Sequence, residues 1–584
     1  MLRIFKNLDK KDWRLLAASL LFIILQVWLD LTLPDYMSEI TMMVQTEGSA
    51  MGDILLAGGK MLLCALGSLV CSAVVALIIA RAATDFGATL RQRLFGKVLS
   101  FSMREIGAFS TDSLITRSTN DVTQVQMLLV MGLQSMVKAP VMAVWAVCKI
   151  AGKNGQWTLT TGIAVIALLL IVSVCIALAL PRYKKLQALT DDLNRVTREN
   201  LTGLRVVRAY NAEDYQEKKF DGANDALTST NLYAQRVMAT MMPSITLVMS
   251  GLSLAIYWVG AVMIDAAEMT EKLGLFSDMV VFLSYAMQVV MAFMLLVIIF
   301  MILPRASVAA KRILEVLDTQ PSIENGARTE PPAGETGTVE FRHVSFRYPD
   351  AEDDALHDIT FTARKGETVA FIGATGCGKS TLVNLVPRFY DATEGTVLVD
   401  GADVWEYDQR ALRNRIGYVS QKATLFRGTV SSNVAYGDNG RDNLGEDIVE
   451  SVYTAQAADF VEKLENSYDG YVAQGGSNFS GGQKQRLSIA RAICRRPEIL
   501  IFDDSFSALD YKTDRTLRDA LKKTCAGVTK LIVAQRIGTI RDADRIIVLD
   551  EGRVAGQGTH EELMRTCAVY QEIASSQLSK EELS

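Results

Sequence analysis

The sequence predicts two architectures in one chain: six transmembrane helices, then an α/β domain built around a phosphate-binding loop. Three observations predict it. Long apolar runs occupy Leu15–Leu33, Ile54–Ile79, Met127–Ile150, Leu159–Leu180, Met241–Met263 and Met279–Ile302, and none of comparable length follows. Gly373-Ala374-Thr375-Gly376-Cys377-Gly378-Lys379-Ser380 reads G-x-x-x-x-G-K-S, between an apolar strand (Thr368–Ile372) and a helix start (Thr381–Val386). From Thr338 onward, apolar strands alternate with helical segments.

Each run approaches or exceeds the roughly 20 residues that cross a bilayer as a helix. Each is apolar nearly all round, whereas a helix buried in a soluble domain keeps a polar face. Basic residues orient the spans. Arg81, Arg91, Arg93, Lys97, Arg104 and Arg117 lie between spans two and three, and basic residues recur from Arg182 to Lys219 between spans four and five. Val44–Asp53 has no Lys or Arg, and Asp265–Leu275 has a single Lys among several acids. The two long connections, both termini and the phosphate loop are therefore placed in the cytoplasm.

Those connections keep helical apolar spacing and few Gly or Pro, so the spans are expected to continue well into the cytosol. Turn-like breaks at Phe109–Asp112 and Tyr210–Asp214 suggest short crosswise helices there, each a docking point for a second domain. Pro321, Pro331, Pro332 and several glycines mark a linker. The expected domains are a helical membrane domain over 1–318, a linker over 319–337, an α/β domain over 338–577 and a polar tail over 578–584.

Apolar residues make up 49% of the 584-residue chain, high for a wholly soluble protein, and the net charge of −5 disfavours a nucleic-acid partner. The eight cysteines are scattered without a C-x-x-C pair, and Cys64, Cys71, Cys148 and Cys175 lie in apolar segments. Packed thiols are expected rather than disulfides or a zinc site. No cleavable signal peptide is apparent: Lys10, Lys11 and Arg14 precede the first run, but no small-residue cleavage pattern follows it.

The loop glycines let the backbone approach phosphates, Lys379 reaches the outer phosphates, and Ser380 is suited to Mg²⁺. Ile499–Asp504 is an apolar strand ending in two carboxylates, as a Mg²⁺-organising strand should be. Phe479-Ser480-Gly481-Gly482-Gln483 opens a second Gly-rich helix. The first loop already serves one nucleotide, so this second anion site is read as meeting a partner domain's γ-phosphate across a dimer interface.

In this order, these motifs resemble those of the ATP-binding cassette (ABC) transporter superfamily, and the whole chain resembles a half-transporter of the type-IV exporter kind. The resemblance implies that Tyr348 stacks on adenine and that Gly373, Thr375, Gly376, Cys377, Gly378, Lys379, Ser380 and Thr381 hold ATP. It implies Mg²⁺ held by Ser380, Gln421 and Asp503. Gln421 is then the Q-loop glutamine. Ser480, Gly481, Gly482 and Gln483 form the signature that completes a partner's site, and Asp510 belongs to the D-loop Ser507–Asp510. The two cytoplasmic turns look like coupling helices. A second half-transporter, alternating access and a bacterial cytoplasmic membrane complete the implied picture.

Two positions depart from the family pattern. Asp504 stands where the family's catalytic glutamate stands, and Gln535 stands where its switch histidine stands; His343, His357 and His560 all lie elsewhere. Losing one methylene draws a carboxylate back by about 1 Å, a misplacement that can cost roughly 100-fold in rate. Glutamine donates a hydrogen bond but carries no positive charge and shuttles no proton. With Asp504, Gln535 and Gln421 as its catalytic groups, the chain is expected to be the impaired half of a heterodimer, with a homodimer disfavoured.

The substrate is weakly encoded. Gln26 and Asp30 in the first span, Asp35 after Pro34, and Tyr285 and Gln288 among Met287, Met291 and Met294 are the polar candidates for a substrate pathway. Methionine-rich surfaces repack around varied ligands, so hydrophobic or cationic small molecules are expected. Lys138 is expected to snorkel to the headgroups. Lipid or peptide export, or an ATP-gated regulatory channel, are the alternatives.

Overall fold

The computed structural model describes residues 2–46, 50–151, 154–268, 271–334, 336–349, 351–437 and 445–577. The chain divides into two units, Met1–Leu99 with Asp112–Thr319, and Ser100–Thr111 with Gln320–Ser584. The expected tail 578–584 lies outside the described residues, as do 47–49 and 269–270 in the two connections poor in basic residues.

The helices of the first half are α1 (Lys10–Gln45), α2 (Met51–Leu99), α3 (Met103–Phe109), α4 (Thr111–Ala151), α5 (Gly155–Thr202), α6 (Leu204–Ala209), α7 (Glu213–Ala266) and α8 (Lys272–Asp318). Among them α1, α2, α4, α5, α7 and α8 are long and apolar enough to cross a membrane. Most run far past the roughly 20 residues a bilayer needs, as the basic, periodic connections required. Leu21, Leu63, Leu77, Leu170, Leu247 and Trp258 project outward from this unit. In water that surface would be a liability; in lipid it is the solvated face. Inside, Trp157 meets Phe282 with ring centroids 5.4 Å apart, and Val27, Leu31, Tyr285, Val289 and Val290 are buried in the same cluster. Turns of π-helix at Arg117–Asp121 and Leu128–Gly132 interrupt α4, which the apolar pattern does not foretell.

The chain reverses at Ser110 (φ 56°) and Asn211 (φ 50°), inside the two turn-like stretches. Both residues tolerate this left-handed backbone better than a branched side chain would. Two short helices, α3 and α6, come immediately before these turns. Ser102 and Glu105 cap α3 reciprocally, and Glu105 Oε1 also accepts the Ser322 N–H at 3.2 Å. These bonds tie 100–111 to the linker and explain why that segment groups with the second unit rather than with its flanking helices.

In the second unit, β1 (Val339–Phe346), β2 (Leu356–Ala363), β4 (Glu394–Val399) and β5 (Ala402–Asp403) form an antiparallel sheet in the order β2-β1-β4-β5. A second sheet runs β10-β9-β3-β8-β7-β6, from β3 (Thr368–Gly373), β6 (Ile416–Val419), β7 (Ile499–Asp503), β8 (Thr529–Val533), β9 (Arg545–Asp550) and β10 (Arg553–Gly558). Pairs within β9-β3-β8-β7-β6 are parallel, so the carboxyl ends of those strands share one edge. Parallel sheets are covered on both faces and read as continuous apolar runs; β7 and β8 are buried throughout. Three helices matter for the site: α9 (Lys379–Leu385), α10 (Gly481–Cys494) and α11 (Tyr511–Thr524). Register aligns Val533 with Asp503 and Val419 with Phe502. The residues just past β6 and β8 therefore flank the residue just past β7.

Asp400, between β4 and β5, is fully buried. Thr338 N–H donates to its Oδ1 at 3.0 Å, and Arg415 Nη1 stands 3.4 Å from Oδ2 and 2.9 Å from Glu498 Oε1. Burial pushes the Asp400 carboxyl up to about 6 from 3.8. Between those values the folded chain binds a proton that the unfolded chain has released, so stability falls as pH rises through this window. Asp400→Asn keeps an acceptor for Thr338 and removes the titration. Thermal melts of the transporter between pH 4 and pH 6 are expected to show a flatter pH dependence in the variant; an unchanged slope would assign that dependence to other groups.

Candidate functional site

The phosphate loop hangs from the end of β3. Gly378 caps α9 with φ 95°, and a Cβ there would sit 2.7 Å from Leu356 Cδ2 and 2.8 Å from the Ala355 carbonyl oxygen. Both facts require glycine. Lys379 is buried, and its Nζ donates to the carbonyls of Gly373 and Ala374 at 2.8 and 2.7 Å, with Cys377 Sγ at 3.5 Å. The ammonium thus already curls over the loop where outer phosphates would lie. Gly376, at φ 87°, has open space around it, and Thr375 lies between it and Ala374 in the same loop.

Ser380 Oγ donates to Asp503 Oδ1 at 2.6 Å, and Tyr418 OH reaches Asp503 Oδ2 at 3.4 Å and Asn384 Oδ1 at 2.8 Å. Burial raises the Asp503 carboxyl above its ordinary range, against the pull of these hydroxyls. A hydroxyl and a carboxylate side by side are hard oxygen donors of the type Mg²⁺ selects. Ser380 and Asp503 fit as its protein ligands, and the ion would supply positive charge to bound phosphates. The third expected ligand, Gln421, donates through its amide nitrogen to Asp504, a bond that does not involve its amide oxygen.

Asp504 follows β7 at φ 46°, buried. Gln535 Nε2 donates to its Oδ2 at 2.9 Å, and Gln421 Nε2 approaches the same oxygen at 3.3 Å. The strand register described above produces this: Gln421 lies two residues past Val419, and Gln535 two past Val533. Burial raises the Asp504 carboxyl, while the Gln421 amide and the Lys379 charge oppose the shift. The group is a carboxylate gripped from both sides by neutral donors. It can orient a water through its other oxygen, but neither glutamine carries a transferable proton.

Tyr348 OH shares a hydrogen bond with Thr381 Oγ1 at 2.9 Å, and its ring meets Phe346 and Tyr390 edge-on with centroids at 4.9 and 5.5 Å. That leaves the ring fixed beside the loop. The signature stands apart. Ser480 caps α10 by accepting from the Gln483 N–H, while the Gln483 side chain accepts the Ser480 N–H at 2.9 Å. Ser480 and Gly481 are exposed. Among the described residues no hydrogen bond joins Ser480, Gly481, Gly482 or Gln483 to the phosphate loop. Asp510 is likewise exposed and caps α11 through the Thr513 N–H at 3.0 Å; this bond lowers its carboxyl below the ordinary range.

In the first unit the polar candidates converge, with partners that the sequence did not pair. Asp30 binds the Ser68 hydroxyl and lies 3.4 Å from Lys138 Nζ. Lys138 therefore does not snorkel to the headgroups; it is the countercharge of Asp30. Asp35 pairs with Lys149 Nζ at 2.7 Å and accepts from Tyr285 OH at 2.6 Å. Gln288 Nε2 donates to the Asp30 carbonyl at 3.3 Å. Each of these two acids thus faces a lysine. Ser68, Lys149 and Tyr418 went unnoticed in the sequence. An acid without a visible partner in a span was the available clue for the first two; Tyr418, three residues before Gln421, offered none.

Six spans joined to a phosphate-loop domain with this motif order define a membrane-transport ATPase subunit. The family model for the ABC transporter matches residues 356–507, and that for the ABC transporter transmembrane region matches residues 16–293. An uncharacterized ABC transporter ATP-binding protein of Mycobacterium tuberculosis is 40% identical over 97% of this chain and 96% of its own length. The ABC transporter ATP-binding protein YfiB of Bacillus subtilis is 36% identical over 86% of each chain. The ATP-dependent lipid A-core flippase of Pseudomonas fluorescens is 33% identical over 82% of this chain and 78% of its own. A bacterial Atm1-family ABC exporter solved with ATP bound shares the fold with a TM-score of 0.80 at 24% identity, covering 98% of this chain and all of that one. The chain belongs to the ABC transporter family, with the family's transmembrane region and ATP-binding domain in one chain.

Stacking by Tyr348 is tested by Tyr348→Ala, expected to weaken ATP binding roughly three- to tenfold in a nucleotide-binding assay. Tyr348→Phe should bind nearly as the parent does. Equal loss in both would place the effect in the hydroxyl bond to Thr381 instead of the ring.

Proposed function

We propose that this chain is the weakly hydrolysing half of a heterodimeric exporter that moves amphipathic small molecules across a bacterial cytoplasmic membrane, using ATP and Mg²⁺. The carrying observation is the Asp504 carboxylate, whose one oxygen takes both the Gln535 and the Gln421 amides at 2.9 and 3.3 Å. An efficient site needs a carboxylate that reaches the attacking water and a neighbour that stabilises charge on the γ-phosphate. Here the carboxylate is short and its neighbour is neutral. The phosphate loop, by contrast, retains every group needed to hold nucleotide. Binding without fast turnover is the chemistry that results.

The exposed signature supports the second half of the reading. Ser480 and Gly481 open α10 toward solvent, apart from this chain's own phosphate loop, as a surface serving another chain's nucleotide would. A homodimer would join two weak sites, so the partner is a different half-transporter that brings its own catalytic glutamate and histidine. Lipid translocation is the alternative for the cargo, favoured by the likeness to the lipid A-core flippase of Pseudomonas fluorescens.

The test restores the two departures. Asp504→Glu with Gln535→His is expected to raise ATP hydrolysis at this chain's site by about 100-fold, and either change alone by less, because both groups act on one transition state. ATPase is measured in the assembled pair with the partner's catalytic glutamate disabled. A double variant that stays at background would show that these residues do not cause the weakness.

A further inference from the structure

Pro34 sits inside α1. Proline has no N–H, so the carbonyl four residues earlier loses its helical donor. That carbonyl belongs to Asp30, and within a membrane a freed backbone group must find another partner. It finds Gln288 of α8, whose Nε2 donates to it at 3.3 Å. This bond fixes the orientation of the Gln288 amide and leaves Gln288 Oε1 buried without a partner. One helical turn before Asp30 on α1, Gln26 is only 5% exposed, and its Oε1 is also buried and unpartnered.

Two orphan acceptors therefore flank Asp30, whose own carboxylate is already satisfied by Ser68 and Lys138. Asp35 and Tyr285, five residues on and across on α8, are satisfied by each other and by Lys149. The polar centre is neutral overall and lacks donors rather than countercharge. Burying an acceptor without a donor is costly, more so where water is scarce. α4 carries an apolar groove lined by Pro140, Val141, Val144, Trp145 and Cys148, which begins two residues after Lys138, the partner of Asp30.

We propose that Gln26 and Gln288 form a headgroup subsite for the exported molecule, and that this molecule is an uncharged amphiphile presenting O–H or N–H donors, with its apolar part along the α4 groove. The inference rests on the exporter reading for the chain's role, and narrows its substrate class. A bare cation gains little here, because Lys138 and Lys149 hold the acids and a quaternary ammonium has no donor for the orphan oxygens. A polyhydroxyl or amide headgroup satisfies both.

The test measures binding without nucleotide, so it is independent of how hydrolysis is shared between sites. The assembled pair in lipid nanodiscs is dialysed against radiolabelled dodecyl glucoside, its fully O-methylated counterpart, or dodecyltrimethylammonium, each below its micelle-forming concentration, with empty nanodiscs as background. In the parent pair dodecyl glucoside is expected to bind saturably, and about tenfold more tightly than the methylated form, which keeps the shape and loses the donors. Gln26→Met, similar in volume but without the acceptor, should weaken the glucoside about tenfold and leave dodecyltrimethylammonium unchanged. Equal affinities for the glucoside and its methylated form in the parent would overturn the proposal, leaving internal water as what the orphan oxygens bind. So would tighter binding of dodecyltrimethylammonium than of the glucoside, or equal loss of both in Gln26→Met.

Discussion

The chemistry of the ATP-binding domain depends on the register of three parallel strands. β7 ends in Asp503, β8 in Val533 and β6 in Val419, and the pairings of Asp503 with Val533 and of Phe502 with Val419 bring those ends into line. A parallel sheet presents the carboxyl ends of its strands at one edge, which is where ligands bind in such folds. Shift β8 by one residue and Gln535 leaves Asp504; shift β6 and Gln421 does. β3 brings the phosphate loop to the same edge, and Ser380 then meets Asp503 at 2.6 Å. The apolar packing of buried strand residues such as Phe371, Ile501, Phe502 and Leu531 holds that alignment. Burial of the core and placement of the site are thus one constraint.

The same economy governs the membrane domain through a single imino acid. Pro34 removes a donor from α1, Gln288 of α8 replaces it, and the replacement fixes where a polar oxygen is left unsatisfied. Around it, Asp30 and Asp35 on α1 each meet a lysine on α4. Ion pairs removed from water contribute little net stability when desolvation is counted, but removing one member leaves an uncompensated charge; these two pairs are partly exposed on the protein and lie in a helix bundle apolar enough to sit in lipid. Their effect is to hold α1, α4 and α8 in a defined polar arrangement within an otherwise apolar bundle.

Much of this was legible in the sequence. The six spans follow from length and hydropathy, and the phosphate loop from glycine spacing and its strand–helix setting. Asp504 and Gln535 stood out because they occupy the places of the family's glutamate and histidine. What was not legible depends on which strands and helices become neighbours. That the Gln421 amide nitrogen would reach Asp504 was not foreseen, because strand order brings the two together. Lys138 was expected at the headgroups because a lone lysine near a helix entry commonly lies there, and its partner is 108 residues away in sequence. A short helix docking on a second domain was expected near Phe109–Asp112, but its anchor was not: Glu105 bonds to Ser322 across 217 residues. In each case local pattern gave the element, and the long-range partner decided the role.

The central claim is an asymmetry: this chain's phosphate loop serves the slow site, and its signature serves the fast one. The most direct measurement compares two variants of the assembled pair, with expression and assembly verified first. Ser480→Ala with Gly481→Asp removes donors from the site where turnover occurs, and loss of such preorganised donors costs about 100- to 1000-fold. On the proposed asymmetry, Lys379→Ala would strip charge from a nucleotide that is held and rarely cleaved. The account predicts that the signature variant abolishes most ATPase activity and transport while Lys379→Ala mainly weakens ATP retention. If Lys379→Ala proves the more damaging to turnover, this chain's own site carries the hydrolysis, and the account is contradicted.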